Sequence, residues 1–425
     1  MDHSRNLSRR SFLIKGVAAA AGALSAPLVL REGALAAAGN PAANDKVGIG
    51  FIGSGHRARL LMDQMPKGGR IVAICDVDLR RCAQTLKEKN ASWRVYQDYR
   101  KLLEAKDIDA VVVPTTDHGR VLPCIHSSQA GKDIYAEKPL TLTIHEGRVL
   151  VSAVRMHQRV FQVGSQQRSM EMNRFACELV RTGGLGKVHT VLGCNYTGPG
   201  QCTGFAGEPV PADLNWDLWC AQTELKPYHS RLQNGWMGCR DYSGGEMTNW
   251  GAHGLDQVQW ALGMDGTGPV EVWPESEGPN GKVSFRYASG VIVKLELSPG
   301  PMGGAVFIGE KGKIEIDRNR FTATPAELVK DPPDPQKAEI WEGPGWQAKY
   351  HIQNWLDCIK SREKPVADVE IGHRSITVCH LANIARQVGR KLRWDPAKEA
   401  FIGDEEANRH LERPKRKGYE LPDLS

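Results

Sequence analysis

The run Val47-Gly48-Ile49-Gly50-Phe51-Ile52-Gly53-Ser54-Gly55-His56-Arg57-Ala58 constrains the fold of this chain more than any other segment. Its first half reads as a buried strand and its last residues as the start of a helix. Between them, Gly53 permits a tight turn and Gly55 lets the backbone approach a pyrophosphate at the helix N-terminus. Ala58 allows the helix to pack closely on the strand. Asp76 closes the next predicted strand, where a carboxylate accepts hydrogen bonds from an adenosine ribose. Its charge repels a 2′-phosphate, so NAD is the expected cofactor, while Arg80 and Arg81 on the following helix keep NADP open.

The pattern that follows extends this unit into an α/β fold. Short apolar runs at 47–52, 70–76, 108–113, 133–137 and 160–164, with a weaker one near 94–96, alternate with helical patterns. That alternation predicts a doubly wound parallel sheet, a Rossmann domain over 45–166. From 167 to 393 the texture becomes α+β. A helix over 171–182 precedes strands at 187–196, 270–273, 281–287, 290–297, 304–309 and 312–317, and two helices follow at 348–361 and 372–390. Tyr287-Ala288-Ser289-Gly290 and Gly309-Glu310-Lys311-Gly312 read as hairpin turns, which makes this second sheet open and mostly antiparallel. Such a face needs cover and predicts a homodimer or homotetramer. The polar, proline-containing end, 394–425, reads as an arm across a neighbouring subunit.

Residues 1–38 have the three parts of an export signal. Ser8-Arg9-Arg10-Ser11-Phe12-Leu13-Ile14-Lys15 is a twin-arginine motif, an Ala-rich apolar stretch follows, and small residues up to Ala38 offer cleavage sites. Export by the twin-arginine route, to the periplasm or beyond, is the expectation. No membrane span is expected after removal of this segment. The formal charge of +6 falls to about +3 without it, which is no nucleic-acid signature. Ten cysteines in an exported chain raise the question of disulfides. Most lie in predicted core elements, but Cys194, Cys202, Cys220 and Cys239 share one loop-rich stretch where one or two bridges can form. No spacing supports a metal site.

Two further segments carry the chemistry. One is Ala136-Glu137-Lys138-Pro139-Leu140 after the fifth strand, and the other is Asp241-Tyr242-Ser243-Gly244-Gly245-Glu246-Met247-Thr248-Asn249-Trp250-Gly251-Ala252-His253. A lysine at the C-terminal end of a parallel strand sits at the crevice where such sheets bind ligands. There Lys138 can hydrogen-bond a reacting hydroxyl and stabilise negative charge as it develops. His253 lies four residues after Asn249, so both project from one helical face.

With the fingerprint and Gly183-Gly184-Leu185-Gly186-Lys187-Val188, these segments resemble the Gfo/Idh/MocA oxidoreductase family over essentially the whole mature chain. The resemblance implies Lys138 and His253 as the hydride-transfer apparatus, with a cis Lys138–Pro139 bond. It implies that Glu137, Thr115 and His118 approach the cofactor. The family has an aspartate where this chain has Asn249, so His253 is expected to be less basic, its tautomer set by an amide. Gln166-Gln167-Arg168 replaces an arginine-bearing segment of the family, leaving Arg168 to contact ligand or to pin the joint between domains.

Six tryptophans lie at 216, 219, 236, 250, 260 and 273, and aromatic faces suit sugar rings. Trp236, Arg240, Tyr242 and Trp250 flank the catalytic segment and are the candidate substrate walls; the expected partner is a small carbohydrate. Three functions fit: NAD-dependent oxidation of a sugar, polyol or glycoside hydroxyl with retained cofactor; redox-neutral glycoside hydrolysis through a keto intermediate; and sugar binding without catalysis, which Asn249 favours.

Overall fold

The computed structural model describes residues 46–334 and 347–424; the twin-arginine segment lies outside the described residues. Strands β1 (Val47–Ile52), β2 (Gly69–Cys75), β3 (Arg94–Tyr96), β4 (Ala110–Val113), β5 (Asp133–Ala136) and β6 (Phe161–Val163) form one parallel sheet in the order β3-β2-β1-β4-β5-β6. Every residue of β1, β4 and β5 is buried, as continuous apolar strands covered on both faces must be. Strand order reverses between β1 and β4, and the crevice this opens at the strand C-termini receives the Gly53 turn.

The second sheet has nine strands: β7 (Val188–Cys194), β8 (Glu271–Pro274), β9 (Val283–Arg286), β10 (Ile292–Leu297), β11 (Ala305–Gly309), β12 (Gly312–Asp317), β13 (Arg320–Thr324), β14 (Leu392–Asp395) and β15 (Ala400–Phe401). Their order is β13-β12-β11-β7-β10-β9-β8-β14-β15, antiparallel throughout except for the parallel β7–β10 pair. Both expected hairpins are present. Helices Glu171–Arg181, Glu246–Ala261 and Val369–Val388 pack on one another and on this sheet. Among the described residues no helix is long and apolar enough to cross a membrane.

The two halves interlock. Helix Lys349–Ser361 returns to the first sheet, where Ile352, Trp355 and Leu356 share one apolar cluster with Ile49, Phe51 and Leu61. The Val163 N–H donates to the Ala367 carbonyl at 2.8 Å. The division near residue 166 therefore describes chain order and not packing.

The C-terminal arm lies against its own chain. It finds partners there: Lys415 Nζ meets the buried Glu146 carboxylate at 2.9 Å, Arg416 meets Asp217 at 2.6 Å, and the Tyr419 hydroxyl donates to Asp217 at 2.5 Å. Of the four loop cysteines, Cys202 and Cys239 form a disulfide, while Cys194 and Cys220 are free and buried.

Arg168 pins the joint. Its guanidinium pairs with Asp256 at 2.9 Å, each side chain only 2% exposed, and with Asp265 at 2.7 Å. Ser375 donates to the same Asp256 carboxylate at 2.7 Å. Removing the cation strands a buried charge, so Arg168→Met should cost about 3–5 kcal/mol in urea unfolding. A variant as stable as the parent would show that this network does not anchor the segment after β6 to the second half.

Candidate active site

Two adjoining cavities meet at the end of the parallel sheet. The first, about 400 Å³, is lined by the Gly53–Gly55 turn, Asp76, Arg81 and the Pro114–Thr116 loop. Gly53 has φ +105°, a conformation that an L side chain resists. Helix His56–Asp63 begins at Gly55 without a side-chain cap, so its first N–H groups are available to an anion. The Thr115 hydroxyl lines the same cavity, buried and without a hydrogen-bond partner among the described residues. An uncapped helix start, a glycine turn and an orphaned hydroxyl fit a dinucleotide. Ala58, fully buried, lies where the helix presses on the sheet.

Asp76 lines this cavity but is partly committed. It accepts from the Ser54 N–H at 2.8 Å and from the Asp78 N–H at 3.0 Å. Burial raises its pKa, and the Arg81 charge and the Ser54 N–H oppose that rise. Of the two arginines that follow, Arg80 turns away to Asp78 at 2.7 Å. Arg81 reaches in, its Nη1 placed 3.3 Å from where a side chain on Gly55 would begin.

The second cavity, about 520 Å³, holds Lys138, Asn249, Trp250 and His253. It shares His56, Arg57, Trp236 and Met237 with the first. Lys138 ends the β5 segment, and its bond to Pro139 is cis. The facing residues come from helix Glu246–Ala261, which starts at Gly245 with φ +72°. A side chain at Gly245 would meet the Gly198 carbonyl carbon at 2.7 Å, so the loop ahead of the helix packs this closely only on glycine.

Lys138 Nζ donates to Asn249 Oδ1 at 2.6 Å and to the Asn249 carbonyl at 3.2 Å. Asn249 Nδ2 in turn donates to Glu246 at 2.9 Å. The amide thus serves the lysine, and the expectation that it sets the His253 tautomer is corrected. Burial pulls the Lys138 pKa down to about 8, against the opposing pull of Glu137 and Asp117. Glu137 is itself held by Arg57 at 2.8 Å and Gln166 at 2.9 Å. His253 is driven well below the usual imidazole range, first by burial and then by the charges of Lys138, Arg318 and Arg57. It is therefore neutral at neutral pH, and the missing aspartate is only part of the reason.

Not every candidate from the sequence reaches the cavities. Trp236 lines both, and Trp250 lines the second with Arg318 5.7 Å from its ring centroid. His118 lines neither. It is fully buried, its Nε2–H donates to the Trp219 carbonyl at 2.7 Å, and burial pushes its pKa to about 4. Tyr242 packs behind it in a cluster with Trp216 and Trp219. Arg168 is spent on Asp256 and Asp265, and Arg240 faces a separate cavity. Four charged residues of the second cavity were not singled out from the sequence: Arg57, inside the fingerprint run, Asp117, Arg120 and Arg318. Arg120 clamps the loops after β4 and β5 by donating to the Thr115 and Pro139 carbonyls. Asp117 accepts from Ser243 at 2.7 Å. Among the described residues no cluster of His, Cys, Asp and Glu could hold a metal.

Residues 47–165 match the family described as "Oxidoreductase family, NAD-binding Rossmann fold", and residues 197–421 match its "C-terminal alpha/beta domain". An inositol 2-dehydrogenase of Salmonella paratyphi B is 28% identical over 151 residues, 35% of this chain and 44% of the relative, so the chain spans less than half that relative's length. A 2,7-anhydro-N-acetylneuraminate hydratase of Mediterraneibacter gnavus is 27% identical over 284 residues, 64% of this chain and 66% of the relative. An aldose–aldose oxidoreductase from Caulobacter crescentus, solved with glycerol, shares the fold with TM-score 0.59 at 20% identity, over 82% of this chain and 99% of that one. A WlbA dehydrogenase from Bordetella pertussis, solved with NADH and UDP-GlcNAcA, does so with TM-score 0.60 at 18% identity, over 82% and 99%.

The Lys138 environment makes a prediction by itself. Lysine-selective NMR should show Nζ titrating near pH 8, as burial dictates. Asn249→Asp places a negative charge against the ammonium and should move that midpoint upward by about one unit or more. A midpoint that stays put would mean that Asn249 does not set the lysine's charge state.

Proposed function

This chain belongs to the Gfo/Idh/MocA oxidoreductase family, and on that premise we propose that it removes hydride from a hydroxyl-bearing carbon of a sugar, polyol or glycoside, using tightly held NAD. The observation that carries this reading is the shared wall of the two cavities, which sets Lys138 and His253 beside a dinucleotide-shaped cleft. Bound NAD supplies a hydride acceptor at that wall. Lys138 donates a hydrogen bond to the substrate oxygen, and its pKa of about 8 lets it take the hydroxyl proton as the carbon is oxidised. Neutral His253 orients the same hydroxyl. Trp236 and Trp250 exclude water and offer aromatic faces to the ring. Asp76 favours NAD, and Arg81 is the residue through which a 2′-phosphate would be accepted.

One observation favours a closed redox cycle over net oxidation. Tyr419 of the arm lines the dinucleotide cleft, tethered with Arg416 to Asp217. An arm across the cleft slows exchange of the cofactor, which suits a protein exported by the twin-arginine route to a compartment without a dinucleotide pool. The hydride then returns to a second carbonyl substrate or to the same glycoside after elimination and hydration. The relative named as a hydratase supports the latter by its name. The open face of the second sheet makes a homodimer or homotetramer the expected assembly.

Lys138→Met should lower turnover by about 100- to 10,000-fold with the melting temperature preserved. Protein purified without added NAD should show reduced nicotinamide absorbance when sugars are added. Protein that binds sugars yet never produces this absorbance, even with NAD supplied, would leave only the binding role. Arg416→Ala/Tyr419→Ala should release, on gel filtration, cofactor that the parent keeps. Equal retention would remove the arm from the account.

A further inference from the structure

A third cavity, about 420 Å³, shares no lining residue with the other two. Its wall carries three guanidinium groups, Arg240, Arg386 and Arg413, and two imidazoles, His380 and His410, against the single carboxylate of Glu412. Glu412 has cations of its own, His145 at 3.5 Å and Lys415 at 3.9 Å.

None of the three arginines has a carboxylate partner among the described residues. Arg386, 8% exposed, donates only to neutral oxygens: the Gly281 carbonyl at 2.8 Å, Asn195 Oδ1 at 2.8 Å and Asn383 Oδ1 at 3.4 Å. Arg413 donates to the Arg240 carbonyl. The Arg240 guanidinium makes no hydrogen bond or ion pair among the described residues. Its neighbour Asp241, the obvious counter-charge, is taken by Lys226. Burial lowers the pKa of all three, that of Arg386 to about 10; the Asp241 charge opposes this at Arg240, and the Glu146 and Asp241 charges oppose it at Arg413, without reversing it.

The wall is also built to stay in place. The Arg240 N–H donates to the Gly200 carbonyl at 2.9 Å, and the Cys202–Cys239 disulfide closes the same pair of loops immediately beside it. Positive charge held rigidly, unneutralised and partly dry is the condition under which an oxyanion binds strongly. The volume exceeds that of a bare inorganic anion and falls in the range of small-ligand pockets.

We propose that this cavity is a second ligand site, which takes a monosaccharide-sized ligand bearing an oxyanion, a carboxylate or a phosphate ester. It does not depend on the hydride chemistry of the other two cavities. Calorimetric titration of the full chain with glucuronate and with glucose 6-phosphate tests it, against sodium chloride at matched ionic strength. Binding of either sugar supports the site, and which one binds identifies the anion. Arg240→Gln should weaken that binding by about tenfold or more, and Arg240→Glu should abolish it. Both variants should fold, since the side chain they replace makes no hydrogen bond or ion pair among the described residues. Lys138→Met, altered in the catalytic cavity, should bind as the parent does. The proposal is overturned if neither anionic sugar binds beyond the salt control, if Arg240→Glu binds like the parent, or if Lys138→Met removes the binding.

Discussion

The candidate site depends on one cation withdrawn from water. Lys138 sits between the end of β5 and helix Glu246–Ala261, and its hydrogen bond to Asn249 joins the two halves of the molecule at the cleft. An aspartate at 249 would have neutralised this ammonium; an asparagine offers a dipole only. The two nearby carboxylates are already engaged, Glu137 by Arg57 and Asp117 by Ser243. The lysine is consequently poised to lose a proton near neutral pH, and its charge helps keep His253 neutral. The acid–base roles in the cleft are set by which charges are left uncompensated.

That same logic separates the arginines. Arg168 is surrounded by two aspartates and serves as a rivet. Arg57 and Arg120 each hold a backbone or carboxylate partner at the cleft wall. Arg240, Arg386 and Arg413 have carbonyls and amides at most. Residue type alone does not distinguish these roles, but the identity of the nearest acceptor does.

Much of the architecture was legible because it is local. The strand–turn–helix at Val47–Ala58, the alternation of strands and helices after it, and the two hairpins all rest on contacts within a few residues of chain. Lys138 was legible for the same reason, as the lysine of a short motif at a strand end. What escaped was set by distant partners. Arg318 comes from the turn between β12 and β13, and Tyr419 comes from the arm, yet each lines a cavity built mainly by the first half of the chain. His118 and Tyr242, close in sequence to cleft residues, are drawn into an aromatic cluster by Trp219, a contact no periodicity announces. The disulfide was visible only as a set of four candidates, because pairing requires the loop path that brings Cys202 to Cys239.

Helix Lys349–Ser361 has a consequence for how the molecule comes into being. Ile352, Trp355 and Leu356 complete the apolar cluster around Ile49, Phe51 and Leu61. On the ribosome, then, the dinucleotide half emerges long before the helix that covers one side of its sheet. Until residue 361 has been synthesised, this face is covered only in part, by helix His56–Asp63 and its neighbour, and the remaining apolar surface stays open. Synthesis must run past residue 361 before the first-made strands are fully covered, so the last of their apolar surface is withdrawn from water late in elongation.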